Sequence, residues 1–130
     1  MNIREQIQEC YAAYAARDLE GTMKPFADNV CFEWTADSKH SKFSGCSNGR
    51  EKMIERLAIL AEQFEFLEVK LLDLIVEGNK AAARIEMKLK SNQTGEEFTN
   101  HSGHFWQFED GVCTEFAEYY DTALVGAHVN

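Results

Sequence analysis

Apolar residues in the first part of the chain recur every three or four positions, the spacing of an amphipathic helix. The stripe nearest the N-terminus consists of Ile3, Ile7, Cys10, Tyr11 and Tyr14. Asn2 precedes it, and Glu5 follows three residues later, which is the pattern of a capping box. We therefore predict a first helix from Ile3 to Ala16.

Two further helices are indicated by cap residues followed by apolar ones. Asp18 can cap a short helix from Leu19 to Met23. Asn48 with Glu51 predicts the start of a third helix. The apolar stripe of this third helix consists of Met53, Ile54, Leu57, Leu60, Ala61 and Phe64.

From Phe66 onward the apolar period changes to two, which is typical of strands. After a first strand from Val30 to Thr35, we predict four long strands, in an antiparallel meander joined by turns at 78–79, 92–95 and 109–111. The polar segment from Ala36 to Ser47 is expected to be a functional loop, with His40 near a pocket mouth. The tail from Val125 to Asn130 carries no pattern and is expected to fray.

Helices gathered on one face of an antiparallel sheet make an α+β fold. Because the meander strands are longer than average, the sheet must twist and curl. We predict one domain spanning residues 1–130, cone-shaped, with three N-terminal helices over a strongly curved, mainly antiparallel sheet. Such a sheet encloses a pocket on its concave side.

Composition restricts the class of partner. The 130 residues carry a formal net charge of -9, which argues against nucleic acid and anionic membrane as partners. No apolar run is long enough to span a membrane and the N-terminus lacks an apolar signal core, so we expect a cytoplasmic protein. Four scattered cysteines, Cys10, Cys31, Cys46 and Cys113, form no CxxC pair, so we expect free thiols and no metal site.

The candidate chemistry concentrates in the aromatic hairpin from Phe98 to Asp121. Glu109, Asp110 and Gly111 supply the turn. On the strand before the turn, alternation puts His104, Trp106 and Phe108 on one face. A histidine among such aromatic residues can hydrogen-bond a carbonyl oxygen or act as a base, or it can be a core residue bonded to the backbone.

On the strand after the turn, Phe116, Glu118 and Tyr120 share a face. If that face is concave, Glu118 joins His104 in one cavity, where a carboxylate suits acid/base work. A two-residue and a three-residue turn give opposite answers, and the alternative points Ala117, Tyr119 and Asp121 inward.

Other strands and the first helix complete the predicted pocket. Tyr11 and Tyr14 lie three apart on the helix, so a hydroxyl can polarise a ligand carbonyl, or both rings can simply pack. Trp34 is expected to shape the pocket. Alternation on the predicted strand from Ala81 to Lys90 adds Ala83, Ile85 and Met87 as lining residues, and it turns Arg84, Glu86 and Lys88 outward.

Several stretches resemble the SnoaL-like group of the nuclear-transport-factor-2-like superfamily, which includes ketosteroid-isomerase-like and polyketide-cyclase-like proteins. These stretches are Asp18-Leu19-Glu20, Phe26-Ala27-Asp28-Asn29-Val30, Phe43-Ser44-Gly45, Gly49-Arg50-Glu51-Lys52-Met53-Ile54, Phe108-Glu109-Asp110-Gly111-Val112 and Glu118-Tyr119-Tyr120-Asp121. The resemblance implies a cone-shaped, cystatin-like fold. Its members include isomerases, cyclases, dehydratases, epoxide hydrolases and non-catalytic binding modules, so fold alone does not choose a function.

The positions that match the catalytic residues of family members distinguish between these activities. Trp34 occupies the position of the steroid isomerases' aspartate base, and His104 that of their protonated aspartate, while Tyr11 falls near their tyrosine. The steroid isomerase mechanism is therefore not expected. Glu118 matches the position of the aspartate that acts as acid/base in polyketide cyclases of this group.

From these observations we expect a pocket for a small apolar molecule bearing a carbonyl. If the protein is an enzyme, it is a cofactor-free isomerase, cyclase or dehydratase in which Glu118 moves the proton while His104 and a tyrosine of the first helix stabilise the enolate oxygen. The alternative is a non-catalytic ligand-binding or scaffold module. The outward charges predict a homodimer through the convex face of the sheet.

Overall fold

The structure, a computed structural model, describes residues 1–34 and 45–128, without the side chains of 45–47. Its helices are α1 (Ile3–Ala15), α2 (Leu19–Met23), α3 (Arg50–Gln63) and α4 (Thr122–Gly126). Its strands are β1 (Phe26–Trp34), β2 (Gly45–Asn48), β3 (Phe64–Glu77), β4 (Lys80–Ser91), β5 (Glu97–Glu109) and β6 (Val112–Tyr120). The predicted α+β class is confirmed.

Local sequence explains where the first two helices begin. The Asn2 side chain accepts a hydrogen bond from the backbone N–H of Glu5 at 2.8 Å, which is the predicted capping box. Asp18 caps α2 by accepting from the N–H of Gly21. The predicted cap of α3 is wrong by one residue: Gly49, with φ of 94°, is the cap, and its positive φ favours a residue without Cβ.

The six strands form one sheet in the order β2-β1-β6-β5-β4-β3. The predicted antiparallel meander from β3 to β6 is present, and β1 adds to β6 in parallel. Strand β2 was not predicted: its four residues include the end of the expected loop and pair with β1. The rest of that loop, with His40, lies outside the described residues.

The hairpin between β5 and β6 combines a two-residue turn with a bulge. Glu109 pairs with Val112 across Asp110 and Gly111, whose φ angles of 49° and 82° are those of a tight hairpin turn. The pairing then shifts, because Cys113 faces Phe108 and Glu115 faces Gln107, which leaves Thr114 as an extra residue. The bulge reverses the alternation of β6 beyond it.

The core lies between the concave face of the sheet and the helices. Its fully buried large residues are Phe32, Phe64, Phe108, Ile7, Met23, Ile85 and Val30. Each such side chain contributes roughly 1.5–3 kcal/mol by leaving water. None of the described helices is long and apolar enough to cross a membrane.

The expected fraying of the C-terminal tail is wrong for the residues described there. Asp121 caps α4, Val125 is buried, and the His128 ring stacks on Phe98 with centroids 4.1 Å apart. Ser91 Oγ also donates to the backbone carbonyl of His128 at 2.9 Å. The segment carries little apolar periodicity because it is a single turn held by contacts with the sheet. The described residues therefore form a fourth helix beyond the three predicted.

Candidate functional site

A largely apolar cavity lies between α1, α3 and the concave face of the sheet. Its volume is about 70 Å³. Its walls are Cys10, Tyr11, Tyr14, Thr22, Phe26, Trp34, Met53, Leu57, Leu60, Phe64, Met87, Leu89, Asn100, His104, Trp106, Phe116, Glu118, Tyr120 and Val125. Glu118 is the one acidic residue among these walls, and His104 is the one basic residue.

A chain of hydrogen bonds ends on that carboxylate. Trp106 Nε1 donates to the Tyr11 hydroxyl at 3.2 Å, the Tyr11 hydroxyl lies 2.6 Å from His104 Nδ1, and His104 Nε2 lies 2.5 Å from Glu118 Oε2. His104 and Glu118 are direct cross-strand partners in β5 and β6. The bulge at Thr114 brings them together, since without it Glu118 would point to the opposite face.

The direction of the hydrogen bonds in this series follows from its first donor. The indole N–H of Trp106 can only donate, so the Tyr11 oxygen accepts and its own hydrogen is available for His104 Nδ1. In that arrangement the neutral imidazole carries its hydrogen on Nε2 and donates to Glu118. Both ring nitrogens of His104 are therefore engaged, and the ring holds the carboxylate in place.

Tyr14 differs from Tyr11 in the hydrogen bonding of its hydroxyl group. The Tyr11 hydroxyl is bonded to two side chains, whereas no described residue hydrogen-bonds the hydroxyl of Tyr14. Tyr14 also lines the cavity, and its ring packs edge-on against Phe66 at 5.3 Å. The Tyr14 hydroxyl is thus an available phenolic donor at the cavity wall.

Burial and charge shape the acidity of these phenols. Burial raises the pKa of Tyr11 and of Tyr14 well above the ordinary value of 10.0, and the negative charge of Glu118 raises both further. Both phenols therefore stay protonated near neutral pH and serve as hydrogen-bond donors. The nearby thiol of Cys10 is also protonated, because burial raises its pKa to about 12.

A wider depression adjoins the cavity, between α1, α2, α3 and the start of β3. It measures about 530 Å³ and shares Tyr14, Thr22, Leu57 and Phe64 with the cavity. Arg17, Glu65 and Asn92 are among the polar residues around it. The two spaces therefore lie side by side, with these four residues between them.

The structure brings together nine of the eleven predicted site residues. Tyr11, Tyr14, Trp34, Met87, His104, Trp106, Phe116, Glu118 and Tyr120 all line the cavity. The expectation that Ala83 and Ile85 line it is wrong. Both are buried in the core, where they pair with His104 and Ser102 across β4 and β5.

The convex face of the sheet carries the charges predicted there. Arg84 pairs with Asp73 at 3.0 Å, and Glu86 contacts His101 at 3.1 Å. His101 and His104 therefore lie on opposite faces, as alternation predicts. Within the described residues, no group of three histidine, cysteine, aspartate or glutamate side chains is arranged to hold a metal ion.

Sequence reasoning missed several wall residues. The alternation of β5 that identifies His104 and Trp106 also puts Asn100 on the concave face, and that signal was available. The helix stripe likewise indicates Met53, Leu57 and Leu60. Val125 had no such signal, because its place depends on how α4 docks against the sheet.

The fold and the site define an α+β cone whose apolar cavity holds a carboxylate–histidine–tyrosine chain. The model of the SnoaL-like domain matches residues 7–116, and the chain belongs to this family. No functionally curated protein matches it in sequence.

Similar solved structures show the same fold across nearly the whole chain. A nuclear-transport-factor-2-like protein of unknown function from Burkholderia pseudomallei has a TM-score of 0.89 and 20% identity, covering 98% of this chain and 96% of its own. TerC, co-crystallised with polyporic acid, has a TM-score of 0.87 and 21% identity, covering 96% and 95%. A hypothetical protein with a ketosteroid-isomerase-like fold from Catenulispora acidiphila, in complex with trimethylamine, has a TM-score of 0.80 and 15% identity, covering 98% of this chain and 93% of its own.

Proposed function

We propose that the protein is a cofactor-free enzyme that moves a proton on a small, largely apolar molecule bearing a carbonyl group. The observation that carries this proposal is the hydrogen-bonded chain from Trp106 through Tyr11 and His104 to Glu118, at the wall of an apolar cavity. Membership of the SnoaL-like family supports it, because isomerases and cyclases of this kind share the fold.

Glu118 is the base in this proposal. Its carboxylate removes a proton from the carbon next to the carbonyl, and the carbonyl becomes an enolate. His104 is a positioning residue, since its Nε2–H holds one carboxylate oxygen while Tyr11 fixes the orientation of the ring. A base held in one orientation loses less entropy when it reacts.

Tyr14 stabilises the enolate oxygen in this proposal. The sequence predicted that role for His104 together with a tyrosine, but both nitrogens of His104 are already bonded to Tyr11 and Glu118. Tyr14 has a protonated hydroxyl without a partner among the described residues, and it lines the same cavity. A single donor of this kind is typically worth about 10²–10³-fold in rate.

The reaction needs no redox change. The proton that Glu118 removes returns to a different carbon in an isomerisation. In an aldol cyclisation, the enolate carbon attacks a second carbonyl of the same molecule, and Glu118 gives its proton to the alkoxide that forms. In a dehydration, Glu118 then removes a further proton from the carbon next to the ketone and gives it to the departing hydroxyl group, so that water leaves. In each case Glu118 ends as it began, and electrons and atoms balance within the substrate.

A non-catalytic ligand-binding module is the second candidate. The small size of the inner cavity and its nearly complete apolar lining suit tight binding of a small molecule without chemistry. In that case the histidine–carboxylate pair serves to keep a buried charge hydrogen-bonded.

We further propose that two copies pair through the convex face of the sheet. Its exposed apolar residues Ile75, Phe105 and Tyr119 lie near the ion pair of Arg84 with Asp73. Apolar side chains ringed by charges are a common surface for self-association. A cytoplasmic location, without nucleic-acid or membrane partners, stays a prediction.

The test is hydrogen–deuterium exchange on a simple ketone. We would incubate 2-tetralone, an enolisable two-ring ketone, with the protein in D₂O and follow deuterium uptake next to the carbonyl by mass spectrometry. If the protein raises the exchange rate above that in buffer, and Glu118→Gln abolishes the increase, the result supports the enzyme. Binding of 2-tetralone with no exchange above the buffer rate favours the binding module.

A further inference from the structure

The short helix α4 forms one wall of the cavity and has solvent on its other side. Val125 is 3% exposed and lines the cavity. Ala123 and Ala127, two residues before and after it, are exposed. A single turn of helix therefore separates the cavity from solvent at this position.

The described hydrogen bonds of α4 are internal to the segment, apart from one. Its backbone N–H groups donate to the carbonyls of Asp121, Ala123 and Val125, and the Asp121 side chain caps the first turn. The exception is Ser91 Oγ, which donates to the backbone carbonyl of His128 at 2.9 Å. Moving α4 away from the sheet therefore breaks one hydrogen bond to the rest of the described chain.

The side chain of His128 is the second attachment of the segment. Its ring lies parallel to the ring of Phe98, with centroids 4.1 Å apart. Its Nδ1 is buried and has no hydrogen-bond partner, although Glu96 Oε2 lies 3.8 Å away. Because a buried polar atom without a hydrogen bond costs stability, this attachment opposes opening less than a fully bonded side chain would.

The cavity as it stands is too small for a ketone of one or two rings. Its volume of about 70 Å³ is little more than the share of two water molecules in the liquid, at about 30 Å³ each. Pockets for drug-sized ligands typically have about 300–1,000 Å³. The side chains of Glu118 and His104 are only 15% and 8% exposed. A ligand must therefore displace a wall before it reaches the carboxylate.

The other walls are attached more firmly than α4. The walls of α1 and α3 belong to helices of 13 and 14 residues, and those of the strands belong to one hydrogen-bonded sheet. The other short helix, α2, buries Thr22 and Met23. The backbone carbonyls of these two residues also accept side-chain hydrogen bonds, from Cys10 and Arg50. In the described part of the chain, α4 is therefore the wall that moves at the lowest cost.

We propose that the segment from Asp121 to His128 is a lid that opens to admit the ligand to the cavity. Its hinge is Asp121, which joins α4 directly to β6, the strand that carries Glu118. Opening takes the α4 wall away from the cavity and releases the ring and the carbonyl of His128. The proposal rests on the proposed function only in taking the cavity as the ligand site, and it applies equally to an enzyme and to a binding module.

Two substitutions of His128 should move the lid in opposite directions. His128→Phe keeps a ring to stack on Phe98 and removes the unbonded nitrogen, so it should hold the lid more tightly. His128→Ala removes the stack and should loosen the lid about two- to tenfold, the usual effect of one aromatic pair. The matched control is His101→Ala, since His101 is 59% exposed on the opposite face of the sheet.

Amide hydrogen exchange, followed by NMR, measures the opening without any ligand. A single helical turn is not stable away from the sheet, so opening frees its N–H groups for exchange. Exchange at Val125 and Ala127 should be about two- to tenfold faster in His128→Ala and slower in His128→Phe than in the wild type. Amides of β4 and β5 should exchange equally in all of these proteins.

Quenching of tryptophan fluorescence by acrylamide measures access to the cavity. Trp34→Phe is introduced into every protein, which leaves Trp106 as the one tryptophan. Trp106 lines the cavity and is 3% exposed, so a small neutral quencher must enter to reach it. The quenching constant should rise in His128→Ala and fall in His128→Phe by the same factors as the exchange rates, and His101→Ala should change neither.

Two results would overturn the lid. If exchange in α4 is the same in all variants, His128 does not hold the segment in place. If exchange changes but quenching does not, α4 frays without opening the cavity. Each His128 variant is compared with the wild type separately, so either one decides if the other does not fold. Neither readout uses a substrate or Glu118, so the lid and the proton-transfer proposal can fail independently.

Discussion

Replacing Glu118 with glutamine tests the centre of the proposed mechanism. The change keeps the size of the side chain and an oxygen that can accept from His104 Nε2. It removes the ability to take a proton. General base catalysis typically contributes about 10²–10⁴-fold in rate, so deuterium exchange on 2-tetralone should fall by that factor, while the dissociation constant changes about twofold or less.

The structure also sets the expected cost in stability. A hydrogen bond to a charged group contributes about 1.5–3 kcal/mol and a neutral one about 0.5–1.5 kcal/mol. The His104–Glu118 contact is retained in neutral form, so the free energy of unfolding should fall by about 1 kcal/mol. The pKa of Tyr14 should also fall, because the charge of Glu118 helps to raise it.

The matched control is Glu115→Gln, on the same strand. Glu115 is exposed, so the same chemical change there should leave exchange and stability unaltered. Exchange is followed by mass spectrometry in D₂O, and stability by denaturant titration. The reasoning is refuted if Glu118→Gln exchanges 2-tetralone as fast as the wild type while binding it equally well.

The remaining predictions concern the tyrosines, the buried thiols and the convex face. Tyr14→Phe should slow exchange about 10²–10³-fold. Its melting temperature should be unchanged, because no described residue bonds the Tyr14 hydroxyl. Tyr11→Phe should instead lower the free energy of unfolding by about 1–3 kcal/mol, because it leaves the buried partners of the Tyr11 hydroxyl unpaired. Calorimetry distinguishes the two, and equal losses of stability would contradict the assignment. Burial raises the pKa of Cys10 and Cys113 from 9.0 to about 12. The neutral thiols therefore contribute stability that is fully present below pH 9 and is lost as the pH rises towards 12. The free energy of unfolding should fall by up to about 1.4 kcal/mol per pH unit for each thiol. Denaturant titrations should show this slope, and Cys10→Ala should make it shallower; a flat wild-type profile would count against it. Light scattering of the wild type at micromolar concentration should give the mass of a dimer. Phe105→Glu should give the mass of a monomer, because Phe105 is 53% exposed on the convex face. A monomeric wild type would exclude the interface.

Much of the fold can be predicted from the local pattern of apolar and polar residues. The period of three to four residues predicts α1 and α3 within a few residues, and Asn2 and Asp18 mark the first two helix starts. The period of two predicts the meander from β3 to β6 and the inward face of β5 that carries His104 and Trp106. These features depend on neighbours along the chain, which a sequence displays directly.

The inward position of Glu118 could not be predicted from the turn. Asp110 and Gly111 form the two-residue turn, which by itself points Glu118 outward. The extra residue at Thr114 reverses the alternation, so Phe116 and Glu118 join the cavity. A strand's inward face changes with a single inserted residue, and a bulge is stabilised by pairing with the neighbouring strand, which local pattern does not show.

The sequence by itself determined the class of fold, the faces of most elements and the residue types available for chemistry. Only the tertiary structure decided which of them meet: that His104 lies between Tyr11 and Glu118, and that no described residue bonds the Tyr14 hydroxyl. The physical reason is that hydrogen-bond partnership depends on distances between side chains far apart in the chain, whereas periodicity reports only the direction in which each side chain leaves its own element.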